Sequence, residues 1–398
     1  MNNAIEFPRG NKLPEPEPQR PDTTQAPAEK IILDERGMID LPFLLITVLL
    51  VTIGVIMMFS ASYASAYATE NSSTYYFARQ GLFALVGVGI MLFVSRLNYQ
   101  MWRALSFPIL AVTLVLMMMT PIFGLTGGGA TRWIQLGPFS FQPSEVAKLA
   151  IILSFAAMIS GYKDRMKTIR GLIPFAVILA LMVLTLIFQR HLSGIVIICG
   201  VAAAMLFLGG VQYRWFILGI GAAVLFGVIY LNNMGYAADR ITAWRAPFED
   251  PQGSGFQIVQ SLYAIGSGGL MGLGLGKSRQ KYLYLPEEHN DYIFPIVCEE
   301  LGFVGAMVII ILFMLLIIRG YWIAMHARDR FGALVVGGIT TLLALQVFFN
   351  IGVVTNFLPS TGISLPFFSY GGTALLLQLF EMGLILSVSR QSNNQLLL

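Results

Sequence analysis

Long apolar runs are the feature of this sequence that most constrains its fold. After residue 40, runs of about 18 or more mostly apolar residues recur along almost the whole chain, and such a run crosses roughly 30 Å of hydrocarbon as a helix. Backbone groups in lipid must pair within the protein, so these runs predict helices. The composition agrees, because 56% of the residues are hydrophobic and only 12% are charged. The predicted fold class is all-α, a polytopic integral membrane protein.

The apolar runs predict about ten transmembrane helices. They cover residues 41–61, 80–95, 104–122, 145–161, 171–188, 192–210, 215–231, 301–324, 332–355 and 370–388. Lys and Arg are retained in short cytoplasmic loops, and they crowd the loops near 163–170 and 319–330. This asymmetry predicts cytoplasmic termini. It also predicts outward-facing loops near residues 62–79, 123–144, 232–300 and 356–369.

The chain divides into two tails and one membrane domain. Residues 1–36 are rich in Pro, Glu, Gln, Asn and Arg, which predicts a disordered cytoplasmic tail. The membrane domain covers 37–390, and 391–398 form a short cytoplasmic tail. An outer loop as long as 232–300, between helices 7 and 8, is either functional or disordered, and its aromatic content favours function. Its stretch 256–276 is too polar and Gly-rich to span, which predicts a re-entrant or interfacial segment of unknown depth.

Charge, cysteine and histidine usage exclude several classes of protein. The net charge of +4 is spread along the chain and indicates no nucleic-acid surface. Cys199 and Cys298 fall in or beside apolar segments, so they predict neither a disulfide framework nor a metal site. His191, His289 and His326 are far apart and form no metal motif, so no protein metal site is predicted.

A dense acidic cluster lies where the long outer loop re-enters the membrane. It comprises Glu287, Glu288, His289, Asp291, Glu299 and Glu300. A carboxylate between water and hydrocarbon has a raised pKa and can act as a general base, although an ordinary solvated acidic loop is the alternative. Asp291 stands out because aromatic and apolar residues follow it at once, whereas Glu287 and Glu288 resemble ordinary solvated charges.

A second constellation spans residues 127–150, where a Gly-rich loop leads into an apolar span. Glu145 and Lys148 are three residues apart, so they share a helix face and can form a pair. Charges at this depth are functional candidates, and a structural ion pair is the alternative. Arg132, beside Trp133, either holds a phosphate or extends to the membrane interface.

The outer loop and the last two spans carry two more candidate groups. Five cations of the loop could bind an anion such as pyrophosphate: Arg240, Arg245, Lys277, Arg279 and Lys281. The glycines of 266–276 could let backbone approach a ligand or allow close helix packing. Residues 350–376, interrupted by Pro and Gly, could line a cavity or form a tight turn. Glu381, inside the last span, is either buried with a partner or part of a polar path.

Three motifs, in this order, resemble the SEDS family (shape, elongation, division and sporulation; FtsW, RodA and SpoVE). They are GGGATRWIQLGPFSFQPSEVAKLA, the stretch from DPQGSGFQIVQ to YLPEEHNDYIFPIVCEELG, and NIGVVTNFLPSTGISLPFFSYGG. The wording SRQKYLYLPE is closer to the FtsW and SpoVE branch than to RodA. The resemblance implies a ten-helix peptidoglycan glycosyltransferase that polymerises lipid II. It implies that Asp291 is the catalytic aspartate and that Glu145 and Lys148 line the outer cavity.

The mechanism implied by the resemblance is an inverting glycosyl transfer. Asp291 removes a proton from the sugar 4-hydroxyl, and cations stabilise the leaving undecaprenyl pyrophosphate. The candidate cations, in order, are Lys148, Arg132, Arg245 and Lys281. A divalent cation, Mg²⁺ or Mn²⁺, at the pyrophosphate is left open. Many members carry an acidic residue after the fifth span, where this chain reads QRHLSG with His191. Any role of that acidic residue is therefore not assigned to this chain.

The resemblance also implies partners, a location and two rival functions. The expected partners are a class B penicillin-binding transpeptidase, other membrane proteins of the division machinery, and membrane lipid. The expected location is the cytoplasmic membrane at the division septum. One rival is a lipid II flippase that uses Glu145, Lys148 and Glu381 as an ion path. The other is a non-catalytic scaffold for the transpeptidase.

Overall fold

The computed structural model describes residues 37–127, 130–136, 139–162, 166, 168–219, 221, 235–282 and 284–392. The predicted tail 1–36 and the last residues, 393–398, lie outside these ranges. So does most of the predicted seventh span, 215–231, of which residues 215–219 and 221 are described and helical.

The described residues are mainly helical. They include the helices α1 Leu41–Glu70, α2 Tyr75–Val94, α3 Gln100–Phe123, α4 Pro143–Tyr162, α5 Ile169–Phe188, α6 Leu192–Leu208, α7 Gly235–Arg245, α8 Phe256–Ser267, α9 Ile293–Met325, α10 Arg330–Val354 and α11 Gly372–Gln391. Three short strands, β1 Leu125–Gly127, β2 Ala130–Leu136 and β3 Phe139–Phe141, form an antiparallel sheet in the order β1-β2-β3. The all-α, polytopic class is confirmed, and this sheet is a local addition that the sequence analysis did not predict.

Eight of the described helices are long and apolar enough to cross a membrane. They are α1 to α5 and α9 to α11, and they correspond to eight of the ten predicted spans. The predicted sixth span is the apolar helix α6, which is 17 residues long. The protein is therefore a multi-pass membrane protein.

Three helices form the centre of the bundle. In the most apolar 18-residue stretch of each helix, the buried share is 72% in α4, 72% in α10 and 67% in α11. It is 28% in α2, α3, α5 and α9. Helix α4 packs against α3, α6 and α10, and α11 packs against α2. The peripheral helices present their remaining apolar faces outward, as helices in lipid do.

An ion pair joins the start of α1 to α9. The Asp40 carboxylate caps α1 by accepting a hydrogen bond from the Phe43 amide at 3.0 Å. The same carboxylate pairs with the Arg319 guanidinium of α9 at 2.9 Å. One side chain therefore satisfies an otherwise unpaired helix amide and also fixes two helices to each other.

Helix α9 begins eight residues earlier than predicted and is interrupted. The predicted span started at 301, whereas α9 starts at Ile293 and is broken at Gly302, whose φ is +69° and ψ is −172°. That conformation is open essentially to glycine alone. The prediction of the start was wrong because Glu299 and Glu300 make this segment resemble a loop, although both carboxylates are buried within the protein.

The Gly-rich segment after α8 packs against the break in α9. Helix α8 has 12 residues, a length of roughly 18 Å, which is too short to cross the hydrocarbon. A Cβ at Gly268 would lie 2.0 Å from the carbonyl oxygen of Cys298, and one at Gly272, whose φ is +77°, would lie 2.2 Å from that of Glu300. Of the two alternatives for these glycines, the structure supports close backbone packing.

Candidate active site

A polar cavity of about 630 Å³ lies where the predicted outer loops meet. Its wall is built from the start of α2, the β2 to α4 region, the start of α6, α7, the loop before α9, and the segment that joins α10 to α11. All four sequence constellations contribute residues to this cavity. Asp291, Glu145, Lys148 and Arg132 are among them.

Hydrogen bonds tie the separate segments of the cavity wall together. Ser193, in the first turn of α6, donates to the carbonyl of Thr361. Arg240 of α7 donates to the carbonyl of Ser360 at 2.7 Å. The Tyr370 amide donates to the carbonyl of His289 at 2.8 Å. The segment between α10 and α11 therefore lines the cavity and also holds three of its other walls, which supports the cavity alternative over an isolated turn.

Asp291 lies immediately before α9, and its backbone is held from the centre of the bundle. The buried Asn350 amide of α10 donates to the carbonyl oxygens of both Asp291 and Ile363 at 2.8 Å. Gly362 faces the carboxylate, with a φ of +67°, and a Cβ there would lie 3.2 Å from Asp291 Oδ2. The absence of a side chain at Gly362 keeps space beside the carboxylate for a reacting group.

The Asp291 carboxyl has a pKa raised from 3.8 to about 6. Burial is the main cause, because it disfavours the ionised form, and the negative charge of Glu287 adds to it. Arg240 and His289 act in the opposite direction. A carboxylate with this pKa is mostly ionised at neutral pH and is basic enough to accept a proton from a hydroxyl in a transition state.

Glu145 and Lys148 form an ion pair in the part of the wall built by the start of α4. The Lys148 ammonium donates to Glu145 Oε2 at 2.7 Å, and the Lys148 side chain is 9% exposed. The pairing expected from their spacing is therefore present. Both residues line the cavity, so the pair can contact a bound molecule as well as fix helix packing.

Arg132 and His191 lie beside this pair. The Arg132 guanidinium donates to the carbonyl of Arg190 at 2.8 Å, which holds strand β2 against the turn before α6. His191 is buried and lies 3.4 Å from the side-chain nitrogen of Gln142. Burial, followed by the positive charges of Arg132 and Lys148, lowers the His191 pKa to about 3, so this imidazole is neutral at physiological pH.

Two of the predicted pyrophosphate-binding cations lie outside the cavity wall. The Lys281 ammonium is buried and pairs with Glu300 at 3.0 Å, because a buried carboxylate requires a partner. Arg245, the last residue of α7, is exposed and is not among the lining residues. The cavity is instead lined by Arg240, one turn earlier on α7, and by Arg79 of α2. The sequence analysis named Arg240 as one of five possible anion-binding cations of the loop but did not include it among the four ordered candidates for pyrophosphate.

The two glutamates before His289 differ from each other. Glu287 is exposed, as expected of a solvated charge. Glu288 is only 4% exposed, and one of its oxygens lies 3.6 Å from the imidazole of His289. The prediction that Glu288 is an ordinary solvated charge was wrong, because the chain turns it inward beneath the loop.

Aromatic side chains form part of the wall, and of these Tyr76 was not predicted from the sequence. The His289 ring stacks on Tyr76 with a centroid distance of 4.9 Å, and Tyr370 meets Tyr76 edge-on at 4.9 Å. All three line the cavity. A signal was present in the sequence, since Tyr76 lies in the predicted outer loop 62–79 and Tyr370 begins the predicted last span, directly after the outer loop 356–369.

Acidic residues of the described part of the chain do not assemble into a metal site. Within the ranges that the structure describes, no three His, Cys, Asp or Glu side chains are grouped so as to hold a metal ion. Glu381 of α11 is buried within electrostatic range of Lys148 and Glu145. Glu381 is therefore buried, and its position near Lys148 and Glu145 fits both the buried pair and the polar path.

The fold and the cavity together define a class: a multi-pass helical membrane protein whose polar cavity is lined by a carboxylate of raised pKa and by several cations. The sequence places it more narrowly, since residues 41–394 match the family described as cell cycle protein, FtsW/RodA/SpoVE. The chain belongs to this family, as its motifs predicted.

Curated relatives match over most of their length. The chain is 41% identical over 364 residues to "Probable peptidoglycan glycosyltransferase FtsW" of Geobacter metallireducens, covering 90% of this chain and 97% of that protein. It is 43% identical over 358 residues to "Stage V sporulation protein E" of Bacillus subtilis, covering 89% and 97%. These relatives agree with the predicted likeness to the FtsW and SpoVE branch.

Solved structures share the fold. One is a chain of "Structural coordination of polymerization and crosslinking by a peptidoglycan synthase complex", with a TM-score of 0.74 and 26% identity over 88% of this chain and 98% of that one. Another is the rod shape determining protein RodA of Thermus thermophilus, with a TM-score of 0.67 and 25% identity over 89% and 98%.

Proposed function

We propose that this protein is a peptidoglycan glycosyltransferase that polymerises lipid II at the outer face of the cytoplasmic membrane, with Asp291 as its general base. The observation that carries the proposal is a partly buried carboxylate with a pKa of about 6 in a cavity that also contains fixed cations. Its relatives named as peptidoglycan glycosyltransferases support the same reaction class.

In the proposed reaction, Asp291 accepts the proton of the sugar 4-hydroxyl of one substrate. The hydroxyl oxygen forms a bond to the anomeric carbon of the other substrate from the face opposite the leaving group. The bond from that carbon to the pyrophosphate oxygen breaks, and undecaprenyl pyrophosphate leaves with the electron pair. One base is enough, because the leaving group needs charge stabilisation and no protonation.

The charge that develops on pyrophosphate requires cations in the cavity wall. Lys148 and Arg132 are the proposed ligands, and Arg240 replaces Arg245 and Lys281 as the third. His191 adds no charge there because its imidazole is neutral. If Mg²⁺ or Mn²⁺ takes part, phosphate oxygens and water supply most of its ligands, as is usual for Mg²⁺ at phosphates.

The proposal includes an orientation, a location and partners. The cavity lies at the end of the bundle whose short loops carry few Lys and Arg residues, which supports cytoplasmic termini. We place the protein at the division septum with a class B penicillin-binding transpeptidase and other division proteins. The likeness to a chain from a peptidoglycan synthase complex supports the partnership with a crosslinking enzyme.

Polymerisation of purified lipid II tests the function. Wild type, Asp291→Ala and the control Glu249→Gln are compared with the transpeptidase partner present, at equal amounts of monodisperse protein. Glu249 is an exposed acid of the same outer loop and does not line the cavity. We expect polymer from wild type and the control and none from Asp291→Ala. Equal polymer from all three refutes the role of Asp291, and transport of lipid II without polymer favours the flippase.

A further inference from the structure

Asp291 is attached to a separate half-helix. The break at Gly302 divides α9 into residues 293–301 and 303–325. Asp291 lies two residues before the first part, and Glu299 and Glu300 lie near its other end. The position of the carboxylate therefore depends on what holds this nine-residue segment, because the regular helix hydrogen bonding is interrupted behind it.

Two buried carboxylates at the end of the half-helix accept hydrogen bonds from the loop that precedes Asp291. Glu299 accepts hydrogen bonds from the Ser278 hydroxyl and from the Arg279 amide at 3.0 Å. Glu300 accepts from the Ser278 amide at 3.2 Å and from the Lys281 ammonium at 3.0 Å. Residues 278–300 are thus closed into a loop whose two ends are fixed together.

The same cluster reaches α1. The Ser60 hydroxyl donates to Glu300 at 2.7 Å, and the Lys281 ammonium donates to the Ser60 oxygen at 3.1 Å. Ser60, Ser278, Lys281, Glu299 and Glu300 are each at most 9% exposed. Buried charges that are paired and fully hydrogen-bonded hold one geometry, because any displacement leaves a charge without a partner.

Backbone hydrogen bonds support the half-helix at the break. The Leu273 and Gly274 amides donate to the carbonyls of Glu299 and Glu300, each at 3.0 Å. Beyond the break, the Phe303 amide donates to Gly269 at 2.9 Å. The Gly-rich segment thus supplies the hydrogen-bond partners that the interrupted helix lacks. It bonds to Glu299 and Glu300 before the break and to Phe303 after it, and so supports residues 293–301 from outside the helix.

We propose that the buried Ser60, Lys281 and Glu300 cluster positions Asp291, with Lys281 as a positioning residue that fixes the half-helix to α1. This inference rests on the proposed role of Asp291. It gives Lys281 a different task from phosphate binding, since its ammonium contacts protein oxygens. Displacement of a reacting group by about 1 Å can cost about 100-fold in rate, so loosening the cluster lowers kcat.

The chain offers a matched control for this proposal. Arg319 pairs with buried Asp40 and also joins α1 to α9, but beyond the break at Gly302. Lys281→Met and Arg319→Met each leave one buried carboxylate without its cation. Both variants weaken the contact between the same two helices, and only the first loosens the half-helix.

Two measurements on the full-length protein are compared between these variants. For Lys281→Met we expect kcat per folded molecule at least about tenfold lower, with KM within about twofold of wild type. Hydrogen exchange of residues 286–292 becomes faster, whereas exchange of 303–325 stays as in wild type. For Arg319→Met we expect unchanged kcat and unchanged exchange at 286–292.

Three results overturn the positioning role. They are wild-type kcat in Lys281→Met, unchanged exchange at 286–292 in that variant, and equal effects of Lys281→Met and Arg319→Met. If Lys281→Met does not fold, Ser60→Ala removes one hydroxyl of the cluster and must show both changes in weaker form. If the wild type makes no polymer, the proposed function fails, and exchange alone still decides whether the cluster holds this segment.

Discussion

The rate of polymerisation should rise with pH because Asp291 must be ionised to act as a base. With a pKa of about 6, the ionised fraction is ~0.09 at pH 5 and ~0.91 at pH 7. The value of kcat/KM should therefore increase about tenfold between these two pH values. An aspartate with the ordinary pKa of 3.8 would be ~0.94 ionised at pH 5, and the same profile would be almost flat.

Two substitutions should move this profile in opposite directions. Glu287→Gln removes a negative charge that raises the Asp291 pKa, so the acidic limb should move to lower pH. Arg240→Gln removes a positive charge that lowers the pKa, so the limb should move to higher pH. Opposite shifts assign the limb to Asp291 and exclude titration of the substrate phosphates, which both variants share.

The assay is initial-rate polymerisation of labelled lipid II from pH 4.5 to 8 at constant ionic strength. Protein held at pH 5 and returned to pH 7 before assay must recover full activity, which separates titration from acid unfolding. A profile that is flat between pH 5 and 7, or shifts of the same sign in both variants, would refute the electrostatic account of Asp291.

Three other predictions concern stability and the cavity cations. At pH 8, Asp291→Asn should unfold at a higher temperature than wild type. Its free energy of unfolding should be larger by up to about 3 kcal/mol, because the ionised carboxyl with its raised pKa is penalised in the folded state. That advantage should shrink as pH falls from 6 to 3.8, and a constant difference across this window would contradict it. Lys148→Met should lower kcat/KM by about 100-fold in the polymerisation assay, whereas exposed Arg245→Gln should leave it within about twofold; equal losses would argue against a cavity role. Gly302→Ala should lower the free energy of unfolding by at least about 2 kcal/mol, because its Cβ would lie 2.2 Å from the Gly272 nitrogen. The control Gly89→Ala should be tolerated, because Gly89 lies in a helix with open space around it. Thermal unfolding in detergent compares the two variants.

The spans could be predicted from sequence because hydropathy is a local property of about 20 residues. The packing partner of a loop cation is not local. Lys281 and Arg240 are both basic residues of one outer loop, and only the fold brings Glu300 to the first and the cavity to the second. One signal was available, since two adjacent acids in an otherwise apolar stretch require a cation when they are buried.

The missed sheet and the wrongly predicted start of α9 have different causes. Strands β2 and β3 cover ATRWIQL and FSF around a Gly-Pro pair, which is a recognisable hairpin signal. Apolar runs of helical length do not reveal such short strands. The start of α9 was missed because a hydropathy scale counts charged residues such as Glu299 and Glu300 as solvent-exposed, although both are buried here. Asp291 was found from sequence because a motif marks it, whereas Gly362 and Asn350 beside it required the folded chain.

The interrupted helix also bears on how this protein tolerates different bilayers. Residues 303–325 extend roughly 34 Å as a helix, enough to cross the hydrocarbon without the half-helix. A thicker or thinner membrane is matched by tilting such a span, at a modest energetic cost. Because the break at Gly302 lies between that span and Asp291, adjustment to lipid length can occur with little displacement of the reacting carboxylate. Changes in lipid composition that alter bilayer thickness should then act on assembly and insertion before they act on chemistry.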